Sequence, residues 1–182
     1  MPPVTFVRMG NWGGSLATRT TADLRGLMEE AGFSDVEDAE ALAQGWQLVE
    51  FAEARTGALA ALVERTGTPA VMVSFLDSDV GVVEARTQDG SGWEGLLDRD
   101  TAESYEIPLE DFPVEPAVSG ALSWAAAAGL TADAALVRRA FTESALFAEE
   151  LAALLHVGLG IPGAELITSD DEDDEDDEGD EA

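Results

Sequence analysis

The stretch 70–97 constrains the fold more than any other part of the chain. Residues 70–76 are apolar and rich in β-forming side chains, and Asp77-Ser78-Asp79 follows as a turn. Residues 80–87 repeat the pattern, Gln88-Asp89-Gly90-Ser91-Gly92 turns the chain again, and 93–97 supplies a third run. Three short runs joined by tight turns predict a three-stranded antiparallel meander.

Helical signals lie on both sides of it. Residues 22–31 read as a short helix with Thr21 as N-cap and Gly32 just past its end. Ser34-Asp35-Val36-Glu37 fits a capping box, with Glu37 three residues after Ser34. A long helix is expected from there to about Arg65, because Leu42, Trp46, Val49, Ala52, Leu59 and Val63 recur at three- and four-residue steps. Gly57 can divide it, and Gly67-Thr68-Pro69 ends it. Beyond the meander, residues 106–116 hold three prolines and read as an extended connector. Residues 116–128 read as a helix closed by Gly129. Thr131 then caps a final helix over 132–157, whose stripe is Val137, Phe141, Ser144, Phe147, Leu151, Leu154 and Gly158. Near the start, residues 4–9 alternate weakly and can add a fourth strand. The expected fold is α+β: a central three- to four-stranded antiparallel meander flanked by N- and C-terminal helices, as one domain over 1–168.

Residues 169–182 are expected to be a disordered acidic tail. From Asp170 to Glu181 every residue except Gly179 is acidic, so the segment repels itself and has nothing apolar to bury. The whole chain carries a formal net charge of −29. The tail supplies 11 of its 38 acids, so 27 acids against nine arginines leave −18 on the remainder. Such a surface repels phosphates and anionic lipid, which argues against direct nucleic-acid or membrane partners and for a basic protein partner. There is no lysine. A GC-rich genome or a salt-loving host produces that composition without any functional cause. No apolar run approaches the roughly 18 residues of a membrane span. The first residues lack a basic stretch followed by an apolar one, so a cytoplasmic location is expected.

Composition also removes chemistries. Without cysteine there is no thiol nucleophile, cysteine zinc site or iron–sulfur cluster, and without lysine neither a Walker-type phosphate loop nor a Schiff base in its usual form. His156 is the one histidine. It is expected on the surface in the last turn of the final helix, where a histidine suits the helix dipole. No cofactor is expected. Gly10-Asn11-Trp12-Gly13-Gly14 reads as a loop, with Asn11 and Trp12 as candidate binding residues because an exposed aromatic can anchor a partner. Asp77 and Asp79 read first as turn residues and second as metal ligands. Asp98 and Asp100 read the same way. Arg138 and Arg139 are expected to pair within their own helix.

Three functions fit. The first is a non-enzymatic acidic protein covering a basic surface of a partner, as inhibitors, immunity proteins, antitoxins and chaperones can. The second is an accessory component of a larger assembly whose acidity reflects its host. The third is a carboxylate-based or Mg-dependent enzyme. Acids gathered around an apolar patch favour the first, and acids spread over every face favour the second.

Overall fold

The computed structural model describes residues 12–167. The strand expected at 4–9, Asn11 and the acidic tail lie outside them. The described residues form a mixed α/β fold with a six-stranded antiparallel sheet and a separate two-stranded pair. The strands are β1 (Gly14–Arg19), β2 (Phe33–Ser34), β3 (Glu40–Ala41), β4 (Trp46–Phe51), β5 (Glu53–Ala54), β6 (Ala70–Leu76), β7 (Val80–Arg86) and β8 (Gly92–Leu97). The helices are α1 (Leu24–Ala31), α2 (Ala58–Thr66), α3 (Arg99–Ala102), α4 (Val114–Ala127), α5 (Ala134–Thr142) and α6 (Ala148–Gly158). The main sheet runs β3-β4-β1-β6-β7-β8, and β2 pairs with β5.

The expected runs at 70–97 form β6, β7 and β8, paired in sequence order, with Leu76 opposite Val80 and Arg86 opposite Gly92. The sheet continues on the other side through β1 and β4, where Gly14 lies between Phe51 and Ser74. Neither strand was expected. The loop reading holds at Gly13 and is replaced at Gly14 by the start of β1. Asp23, not Thr21, precedes α1, while Gly32 does close it at φ 112°.

The long helix over 34–65 is not formed. Only its last part, α2, is helical; the rest is β2 to β5 with a short 3₁₀ turn at Ala43–Gly45. Two of the residues that suggested a helical face, Trp46 and Val49, point to opposite sides of β4. Trp46 and Leu48 join the core on one face, and Val49 and Phe51 join the core on the other. A strand covered on both faces carries apolar residues at nearly every position, so its spacing imitates a helix.

Helices cover both faces of the sheet. One face meets α4, α5 and α6, with Trp93, Val73, Ala17 and Trp46 facing Trp124, Phe141 and Leu155. Gly95 makes room for that layer: a Cβ there would stand 2.5 Å from the Phe141 ring. On the other face α1 and α2 cover β4, β1 and β6 through Leu24, Met28, Leu59 and Leu62. Beyond them a smaller cluster of Val80, Leu96 and Ala102 is roofed by Tyr105, Ile107, Leu109 and Phe112 from the connector.

The final helix is two helices. Asp133, not Thr131, caps α5, its carboxylate accepting from Ala135 N and Leu136 N at 2.9 and 3.2 Å. The chain then leaves helical geometry at Glu143 and resumes it at α6. Arg139 pairs with Glu143, four residues on at the C-terminal cap of α5. Arg138 instead reaches across to Glu115 on α4, so that pair joins two helices.

Candidate binding surface

Three segments meet at one end of the sheet: the β6–β7 turn, the corner where β8 passes into α3, and the 143–147 link between α5 and α6. The first two are shaped by a backbone conformation that side chains with a β-carbon adopt at some cost. Asp77 and Ser78 take φ 53° and 61°, the left-handed pair that reverses a tight hairpin. Asp98 takes φ 58°.

These turns clamp the link. The Asp98 carboxylate accepts from Thr101 N at 3.2 Å, capping α3, and from Ala145 N at 3.3 Å. Ser144 Oγ lies 3.2 Å from Asp100 Oδ2. Ser78 O accepts from Ala148 N at 2.7 Å, and Ser78 Oγ donates to Glu149 Oε1 at 2.7 Å. The link is therefore held at 144, 145 and 148. Between those points stand Leu146, 64% exposed, and Phe147, 39% exposed.

Carboxylates stand on the two turns that clamp the link. Asp77 is exposed in the turn. Asp79 accepts from Tyr105 OH at 2.7 Å, and that bond holds the phenol above its usual pKa. Asp100 is exposed beside Ser144. Nearby cations are engaged. Arg99 donates to the carbonyls of Phe112 and Leu109, and Arg139 bonds Glu143 through both carboxylate oxygens, which keeps that carboxyl below its usual range. Asp77 and Asp79, read as possible metal ligands, thus belong to this corner. Among the described residues no group of three or more acidic or histidine side chains is arranged to hold a metal ion.

Trp12 is 65% exposed and enters the sheet at this same end, since Gly13 O accepts from Phe75 N at 2.7 Å. Like exposed Leu166 and Ile167, it adjoins residues outside the described range. Leu146 and Phe147 do not. The sequence reading missed them as a surface feature because Phe147 was placed in the stripe of a continuous helix. The signal against that stripe was Ser144, a polar residue at a supposed core position.

His156 is not on the surface. It is 6% exposed, its Nε2 has no partner, and burial pulls its pKa down to about 4. Two clefts, of about 370 and 490 Å³, are lined by Glu29, Ser34 and Arg55 and by Glu64, Arg86 and Asp89 respectively. His156 borders neither. No protein-family model matches the chain, and comparisons with curated proteins and with solved structures find no match.

Proposed function

We propose that this is a non-enzymatic binding protein that covers a basic surface of a protein partner. One observation carries the reading. Of the 27 acids in the described residues, Asp98 alone is buried. The described arginines are largely turned to the protein's own needs: Arg25, Arg65, Arg86, Arg138 and Arg139 are in ion pairs, and Arg99 holds two carbonyls. The acid excess faces solvent, where it attracts basic surfaces, speeds encounter and repels phosphates.

The spread of those acids favours a second reading. Glu29 and Glu30 on α1 lie on the opposite face of the sheet, and Asp89 lies in the β7–β8 turn at its other end. An accessory component made acidic by its host would look the same on those faces.

Affinity capture from host extract at low and high salt separates the two. The expected result is one basic protein enriched at low salt and lost at high salt, both by the full chain and by a chain ending at Ser169. Capture that ignores salt, or enrichment of nothing, counts against charge masking and for the second reading.

A further inference from the structure

We propose that the clamped 144–148 link is the surface that docks the partner, and that the partner segment presents an apolar side chain flanked by arginine or lysine. This deepens the acidic-binding reading above and rests on it. Leu146 and Phe147 are adjacent, large and exposed in the interior of the described chain. They are not on a loose loop: Asp98, Asp100 and Ser78 fix the backbone on both sides of them. A pair of apolar side chains displayed on a held backbone loses little freedom on binding and serves as an anchor.

Charge selects the occupant. A second copy would bring the same −29 to the contact, and the acidic run at 170–181 is repelled in the same way. A phosphate-bearing ligand meets Asp77 and Asp100, both exposed, and no unengaged cation among Arg99 and Arg139. A basic protein segment complements the acids, and an apolar residue within it complements Leu146 and Phe147.

The test uses the full chain and two synthetic peptides of equal positive charge. One carries leucine and phenylalanine between arginines; the other has serine and glycine at those positions. Affinities are read by calorimetry and the contact by amide chemical shifts. The apolar peptide is expected to bind about 10-fold tighter, the preference an apolar anchor gives, and to shift the amides of 77–79, 98–101 and 144–149. Leu146→Ser should abolish that preference while the serine–glycine peptide binds as before. An unchanged thermal midpoint verifies the fold of this exposed-site variant, and Asp100→Asn should weaken both peptides by a smaller factor. A preference that survives Leu146→Ser, or shifts centred elsewhere, overturns this surface and leaves the acidic reading standing. No binding of either peptide at low salt overturns the acidic reading, and this inference with it.

Discussion

The two ends of the sheet use the same residue type for different work. At the clamped end, turn residues reach far along the chain: Ser78 to Glu149, Asp98 to Ala145 and Asp79 to Tyr105. At the other end, Asp89 serves only its own turn, accepting from Thr87 Oγ1 and from Ser91 N at 2.9 Å. There Trp124 joins α4 to the sheet. Trp124 Nε1 donates to Arg86 O at 2.9 Å, and its ring meets Trp46 edge-on with centroids 6.2 Å apart. A turn carboxylate is thus a tertiary latch where another segment offers it an amide, and a local brace where none does. The clamped end holds the helix link by hydrogen bonds and leaves Leu146 and Phe147 outside; the far end buries the Trp124 ring against the sheet.

Helix α6 spans the two. It starts on Ser78 and ends near His156, where the following chain docks through Ala43 N to Pro162 O at 3.2 Å. This makes the far end the acid-sensitive one, and gives the largest expected effect. Buried His156 stays neutral down to about 4, whereas an exposed histidine takes a proton at its ordinary 6.5. Below 6.5 the unfolded chain binds the proton and the folded chain does not, so stability falls as pH drops through that window and levels off near 4. The loss amounts to about 3 kcal/mol. Urea midpoints between pH 7.5 and 4 measure it. His156→Leu should remove the fall, separating it from changes due to surface carboxylates. Parallel curves for the two proteins would mean that the far end carries no such liability.

The clamp is broken most directly by Asp98→Ala, which leaves the amides of Thr101 and Ala145 without their acceptor. The expected cost is about 2 kcal/mol, given two amide bonds to one buried carboxylate. Amide exchange should quicken at 144–148 ahead of the rest of the protein. Ser78→Ala is milder. Alanine keeps the backbone conformation at similar strain and loses the hydroxyl bond to Glu149, worth about 1 kcal/mol. If Ser78→Ala cost as much as Asp98→Ala, the hairpin turn rather than the β8–α3 corner would be the main latch.

The sequence disclosed the two regions unequally. The strands β6 to β8 were legible because β7 and β8 each have one face partly open, which preserves alternation, and because their turns are rich in Asp, Ser and Gly. In β4 that alternation is hidden, since Trp46 and Leu48 on one side and Val49 and Phe51 on the other are all apolar. β-Propensity and Gly45 mark the strand there, against a helical spacing of its apolar residues. The break between α5 and α6 was hidden for a different reason. It is imposed by Asp98 and Ser78, which lie 47 and 70 residues before the amides they hold, at Ala145 and Ala148. No local pattern encodes such a contact. Asp77 and Asp79 stand in the turn their type suggests and Asp98 caps α3; that the second oxygen of Asp98 holds another helix junction needed coordinates.

The smallest effect is expected at the far turn, and it is the control on which the comparison depends. Asp89→Ala removes bonds that begin and end within 87–91. Amide exchange should quicken at 88–91 only, with 144–148 unaffected and the urea midpoint close to that of the parent. The hydrogen bond from Thr87, then that from Ser91, holds the Asp89 carboxyl down at about 2, below its ordinary 3.8. Its contribution is therefore complete above 3.8 and is lost only as pH falls from there toward 2, outside the window in which His156 acts. Measured between pH 4 and 7.5, Asp89→Ala should then run parallel to the parent, while His156→Leu diverges from it. A midpoint for Asp89→Ala as low as that of Asp98→Ala would show the far turn to be a latch as well, and the distinction between the two ends would be lost.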